Sequence, residues 1–271
     1  MCRWMAYTGE PIFIEQLITL PERSLVEQSM NTEMNYDTDG SLMGVNGDGF
    51  GVGWYADRPF PGVFKDQTPA WSNENLIQIC RQVKSHLFMA HVRATTQGAV
   101  QRTNCHPFKY KDWLFQHNGD VEGFAMIKRD LQMQIAPDLY TEIKGTTDSE
   151  TFFLLALSFG LQENPKAALQ KMVACVKKAH EDHKITKPFL NLSCALSDGK
   201  GIYTLRYAYG TPSKTQFYSK ESGLVQGLKK GAENIVVVSE PLDRKGEKWT
   251  AVPDNSFMRI QDGEIQVERF L

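Results

Sequence analysis

Apolar and polar positions read as strands toward the two ends of the chain and recur at helical spacing in its middle. Residues 3–8 read as a first strand. Ile12-Phe13-Ile14 then leads through Leu17 and Ile18 into a short helix closed by Pro21. Residues 30–48 are polar and punctuated by glycine, which predicts a loop. Residues 50–55, 87–91 and 113–117 read as strands, the last ending at Asn118-Gly119, a turn signal. Residues 148–159 fit a helix, with Thr147 at the cap and Glu150 three residues on, as a capping box requires. Residues 165–180 fit a second helix, its Ala168, Leu169, Met172, Val173 and Val176 at helical spacing. The pattern then returns to strands over residues 189–196, 201–207, 234–239, 257–260 and 264–267. Strands, a helical middle and strands again predict sheets packed with helices in layers.

Composition narrows the class. The 271 residues suffice for a full core, and no repeat or Gly/Ser linker divides them, so a single domain over 1–271 is expected. With 30 basic and 32 acidic residues the net charge is -2, which gives no reason to expect a nucleic-acid partner. No apolar run approaches the ~20 residues of a membrane helix. The N-terminus lacks the basic and apolar regions of a signal peptide. Five cysteines, an odd number without a CxxC pair, argue against a disulfide framework or a zinc site. A reduced, cytoplasmic, enzyme-sized protein is the expectation. Cys175 and Cys194 lie in apolar stretches and read as core.

Candidate chemistry begins at Cys2. Met1 is removable when the next side chain is small, which would leave a cysteine bearing both a thiol and a free α-amine. Such groups titrate near ~8.5 and ~8, so one residue can supply a nucleophile and its base. In Ala90-His91-Val92-Arg93-Ala94-Thr95-Thr96-Gln97-Gly98, Arg93 past a strand end suits a carboxylate clamp, with Thr96 adding a hydroxyl. An arginine paired with an internal acid fits the same residues. In Gln116-His117-Asn118-Gly119-Asp120, the Asn118 amide and Gly119 N–H could form an oxyanion hole, but a turn is the better local reading. Asp148, in Thr146-Thr147-Asp148-Ser149-Glu150, either complements a helix N-terminus or binds an ammonium group. The latter would complete an α-amino-acid clamp with Arg93. The glycines of residues 47–55 alternate as in a strand with close backbone neighbours and lack a Walker lysine, which excludes a phosphate loop. Cys105 and His106 are adjacent in an extended segment, point to opposite faces, and are poorly placed as nucleophile and base. His91 and His117 read more readily as buried, hydrogen-bonded histidines than as catalysts.

Cys2 behind Met1, His91-Val92-Arg93 with Thr96 and Gly98, His117-Asn118-Gly119, and Asp148 in Thr-Asp-Ser-Glu together resemble the class II glutamine amidotransferases of the N-terminal nucleophile hydrolase superfamily. Order and spacing both match. Residues 49–54, Asn104-Cys105-His106-Pro107-Phe108 and Val238-Ser239-Glu240-Pro241-Leu242 resemble the stand-alone, YafJ-type branch. The resemblance implies an α+β fold, a four-layer αββα sandwich of two antiparallel sheets. It implies Cys2 as nucleophile, Arg93 and Thr96 on the glutamine α-carboxylate, Asp148 on the α-amine, and Asn118 with Gly119 as oxyanion hole. The implied reaction runs through a γ-glutamyl thioester to glutamate and ammonia and needs no metal or organic cofactor. An ammonia-accepting synthase would have to be a separate subunit. Hydrolysis of a γ-glutamyl peptide or amide uses the same head clamps and is the close alternative. A non-catalytic binding subunit that retains Met1 is the alternative of another class. An acylase is disfavoured, because an apolar acyl group needs no charged clamp.

Overall fold

The computed structural model describes residues 2–34, 41–42, 44–95, 98–220 and 234–271. Its strands are β1 Arg3–Phe13, β2 Phe50–Tyr55, β3 Gly62–Asp66, β4 Lys84–Val92, β5 Phe108–Tyr110, β6 Trp113–Val121, β7 Leu190–Ser197, β8 Gly201–Tyr209, β9 Phe217–Ser219, β10 Ile235–Val238, β11 Thr250–Ala251, β12 Ser256–Gln261 and β13 Glu264–Arg269. Its helices are α1 Glu15–Ile18, α2 Leu25–Met30, α3 Glu74–Gln82, α4 Phe124–Gln132, α5 Pro137–Tyr140, α6 Asp148–Ser158 and α7 Pro165–Asp182. One sheet has the order β11-β9-β10-β1-β4-β2-β3 and the other β13-β12-β8-β7-β6-β5. Every pairing in both is antiparallel.

Three buried clusters stack these sheets into four layers. Between the sheets, Trp4, Ala6, Leu87 and Met89 meet Leu114, Ala195 and Ile202. On the far side of the first sheet, Met5, Tyr7, Phe88 and Ala90 pack with Leu17, Leu25 and Leu76 of α1–α3. On the far side of the second, Phe115 and Leu192 pack with Ile127, Phe153 and Leu169 of α4, α6 and α7. This is the expected αββα sandwich. The period-two alternation of a strand decides which residue enters which layer. In β1 the even positions, Trp4 and Ala6, face the other sheet, and the odd positions, Met5 and Tyr7, face the helices.

Hydrogen bonds as well as apolar contacts join the two sheets. Trp4 Nε1 donates to Ser193 O at 3.0 Å, and Gln116 Nε2 donates to Met5 O at 2.8 Å. Close approach explains two of the alternating glycines. A Cβ on Gly51 would lie 2.1 Å from His106 O, and one on Gly53 would lie 2.8 Å from Leu114 Cδ1.

Several local expectations change. Ile12 and Phe13 belong to β1, whose pairing with β4 shifts register between Thr8 and Ile12, so the helix starts only at Glu15. Asn118-Gly119 is no turn: β6 runs through both, pairing Asn118 with Ser193 and Gly119 with Leu192 of β7. The strand partner overrides the local turn preference. Thr147 caps α6 by accepting Glu150 N–H at 3.2 Å. The reciprocal half of the box does not close, because Glu150 accepts Lys144 N–H at 3.0 Å and Gly145 N–H at 2.7 Å instead.

Candidate active site

The ends of β1 and β4 and the start of α6 converge on one cleft. It is lined by Cys2, Arg93, His106, His117, Gly119 and Asp148, among others. Cys2 precedes β1 in the even series, and Arg93 follows β4, next to it across the sheet, where Arg3 pairs with Val92. The half-buried Cys2 thiol lies 3.7 Å from Ala94 O.

The backbone around Arg93 is pinned on both sides. Arg93 N–H donates to Gly49 O at 2.8 Å, and its carbonyl accepts Asp48 N–H at 2.9 Å. The Asp48 carboxylate accepts Thr95 N–H at 2.7 Å. The Arg93 side chain is buried, yet its contact with Ala99 O is long, 3.4 Å, and among the described residues no carboxylate lies within ion-pairing reach. A buried cation without a counter-ion is costly unless something charged arrives to meet it.

Asp148 opens α6. Its Oδ1 accepts Ser149 N–H at 2.7 Å and lies 3.2 Å from Ser149 Oγ. Burial raises its pKa to about 6, although the bonds from Ser149 and the field of Arg93 favour the anion. His117 is committed elsewhere. Its Nε2–H donates to Asn191 O at 3.0 Å, so Nδ1 is the acceptor facing Ser149 Oγ at 2.9 Å. His91 Nε2–H donates to His117 O at 3.1 Å across the sheets. Burial lowers His91 to about 3 and His117 to about 4, so both rings are neutral near pH 7. Both are thus the hydrogen-bonded core histidines anticipated from sequence.

Asn118 is fully buried, and neither Nδ2 nor Oδ1 has a partner among the described residues. Gly119 admits no side chain: a Cβ there would lie 1.9 Å from Asn191 O and 2.3 Å from His117 Nε2. Of the residues anticipated from sequence, Cys2, Arg93, Asp148 and Gly119 line the cleft, and Asn118 adjoins it on β6. Thr96 lies outside the described residues, as do Gln97 and Met1.

Three contributors went unassigned from sequence. Asp48 holds the Arg93 loop, as above. Asn104 accepts Thr146 N–H at 2.9 Å and donates at 3.0 Å to both Ala99 O and Thr146 Oγ1, joining the loop after Arg93 to the approach to Asp148. His106 lines the cleft while Cys105 turns away to Asp66 O at 3.2 Å. Opposite faces do separate the pair, and that same geometry delivers His106 to the site. Its ring centroid lies 4.1 Å from that of His91, the rings tilted by 47°; it is buried and has no hydrogen-bond partner at either nitrogen among the described residues.

Residues 16–211 match the family described as Glutamine amidotransferases class-II. A probable glutamine amidotransferase, DUG3 of Saccharomyces cerevisiae, is 34% identical over 98% of this chain and 83% of its own length. The chain belongs to the class II glutamine amidotransferases. This amidotransferase is accordingly an enzyme, with the fold of its class. A glutamine aminotransferase class-II domain protein from Silicibacter pomeroyi has a solved structure that matches it with a TM-score of 0.74 at 32% identity, covering 99% of both chains. The amidotransferase is also similar to a gamma-glutamyl-hercynylcysteine sulfoxide hydrolase of Mycolicibacterium smegmatis, 23% identical over 98% of this chain and 99% of the other. Among its described residues no helix is long and apolar enough to cross a membrane.

Proposed function

We propose that the chain acts as one domain that hydrolyses the side-chain amide of glutamine, with Cys2 as nucleophile. The observation that carries this is the convergence of the Cys2 thiol, an unpaired buried Arg93 and the Asp148 carboxylate on one cleft. Arg93 binds the α-carboxylate through its planar fork, and Asp148 binds the α-ammonium. Thr96 adds a hydroxyl to the carboxylate. With the head group held at both charges, the side-chain amide extends to Cys2.

Once Met1 is removed, the α-amine takes the thiol proton. The thiolate then adds to the amide carbon, forming the C–S bond. The oxyanion is held by Asn118 Nδ2 and Gly119 N–H, donors of a kind worth roughly 3 kcal/mol each in the transition state. An Asn118 amide buried without a protein partner is ready for that role. The C–N bond breaks, and the ammonium returns its proton to the departing ammonia. Water then adds to the γ-glutamyl thioester, the C–S bond breaks, and glutamate and the free thiol are regenerated. The ammonia passes to water or to an acceptor on another chain.

The clamps read only the γ-glutamyl head, so a γ-glutamyl peptide or amide with a larger leaving group fits the same scheme. The similarity to a γ-glutamyl hydrolase along nearly its whole length supports this second reading. Turnover of glutamine and of γ-glutamyl dipeptides, measured on chains lacking Met1 by mass, tests both. Cys2→Ala is expected to abolish either activity while the protein stays folded. Full turnover by Cys2→Ala would remove Cys2 from the mechanism.

A further inference from the structure

A second, roomier cleft lies apart from the catalytic one. A cleft of about 830 Å³ opens where the edge strands β3 and β5 part. That size falls within the ~300–1,000 Å³ of small-molecule sites. It shares no lining residue with the catalytic cleft, which encloses only about 40 Å³.

Its walls carry five cations, Lys65, Arg102, Lys109, Lys111 and Lys144, against two carboxylates, Glu142 and Glu150. Both carboxylates are already engaged. Glu150 accepts two backbone N–H groups, and Glu142 pairs with Lys144 at 3.0 Å. Lys109 Nζ donates to Pro61 O at 2.8 Å. Lys65 and Arg102 have no anion partner among the described residues. Lys65 has the face of Phe108 5.3 Å from its ammonium, and burial lowers its pKa against the attraction of Cys105 and Glu150. The floor beside them is partly apolar, with the half-buried Val63 and Tyr110 exposing surface to it. On a chain of net charge -2, such a concentration of positive charge is local and is not a property of the whole surface.

We infer that this cleft is a second binding site, for a small organic anion whose phosphate or carboxylate head pairs with Lys65 and Arg102 and whose apolar body lies against Val63 and Tyr110. Neither half of the site suffices alone. The cations are partly offset by cation–π contact and water, and the apolar floor is small. An amphipathic anion uses both. A free inorganic anion uses only the first, and an uncharged aromatic only the second.

Calorimetric titration of the intact protein with phenyl phosphate, inorganic phosphate and phenol tests this. Phenyl phosphate is expected to bind one to one at millimolar concentration or below, and the other two at least tenfold more weakly. Lys65→Gln combined with Arg102→Gln should weaken phenyl phosphate at least tenfold, the lower end of the roughly 10- to 100-fold expected for lost charge-assisted bonds. Arg102→Gln alone, a change at an exposed residue, should show part of that loss if the double variant folds poorly. Arg93→Gln should leave the affinity unchanged, which separates this cleft from the catalytic one. Absence of saturable binding, affinity that survives the double substitution, or affinity lost with Arg93 would each overturn the inference. So would a preference for an acidic Asp/Glu peptide over phenyl phosphate.

Discussion

Glu240→Ala tests what anchors Cys2, the proposed nucleophile. Arg3, Glu240 and Arg23 form a buried network in which Arg3 Nε lies 3.0 Å from Glu240 Oε2 and Arg23 Nη2 lies 2.8 Å from Oε1. Arg3 and Glu240 are only 1% and 3% exposed. Arg3 Nη1 donates to Cys2 O at 3.2 Å, so the network reaches the residue that bears the thiol. Burial lowers Arg3 to about 10 despite the attraction of Glu240, which means desolvation outweighs the pairing. Removing the carboxylate leaves Arg3 buried and uncompensated, whereas Arg23 keeps a second partner in Glu33 at 3.3 Å. Breaking one side of a buried pair costs about 3–5 kcal/mol. The N–H groups of Glu33 and Met34 also lose their acceptor, at 3.0 and 3.1 Å, but near a half-exposed residue where water can replace it. The expected loss is therefore about 4 kcal/mol, a large part of the ~5–15 kcal/mol that holds a folded domain. Glu240→Gln keeps the acceptor oxygen and loses the charge, for about 2 kcal/mol. Urea unfolding followed by tryptophan fluorescence measures both, with Trp4 adjacent to the network. Alkylation of Cys2 by iodoacetamide then reports whether the thiol is still held. A loss below ~1 kcal/mol at unchanged m, the size of a surface pair, would refute the argument.

Three further expectations concern the cleft. Arg93→Lys should raise the Kd of a glutamine analogue roughly ten- to a hundredfold on a Cys2→Ala background, because lysine cannot reproduce the fork; an unchanged Kd would make Arg93 structural. Asp148, raised to about 6, pairs with an ammonium only when ionised, so the Kd of glutamine for Cys2→Ala should climb as pH falls below about 6. Asp148→Asn should flatten that limb, and a flat profile in the parent would remove Asp148 from the clamp. Gly119→Ala would drive a Cβ to 1.9 Å from Asn191 O and push β6 and β7 apart. It is expected to cost about 1–3 kcal/mol of stability and to lower kcat by roughly 10²–10³ as the oxyanion donors move; near-normal kcat in a folded variant would count against Gly119 as a donor.

The central strands were legible because the other sheet covers one face and helices the other, which calls for apolar residues at most positions. β1, β2, β4, β6, β7 and β8 are buried along most of their length. β3 and β5 were missed. β3 is half-buried throughout and β5 has three residues, so edge position erases the contrast that sequence reading needs. Helices α3 and α4 were missed for a different reason. Leu76 and Cys80, and Phe124, Ile127 and Leu131, stand at helical spacing, but each run is one or two turns long and interrupted by charge. At the site, Cys2, Arg93, Asn118, Gly119 and Asp148 could be named because their chemistry is carried by residue type. Asp48 and Asn104 could not. Their side chains act on the backbone of distant segments, and nothing in local sequence announces which N–H or carbonyl they will meet.

The position of β1 also has a consequence for the order of assembly. The strand that follows Cys2 lies between β4 and β10, pairing Met5 with Ala90 on one side and with Val238 on the other. Its first residues are fixed by partners more than two hundred positions away. Trp4 N–H donates to Ser239 Oγ at 3.0 Å, Ser239 N–H returns a bond to Trp4 O at 3.0 Å, and Arg3 reaches Glu240. Contacts so distant along the chain close late, after local elements have formed. The Cys2 side chain is therefore among the last to be seated, and the cleft around it takes shape only as the residues around 240 arrive.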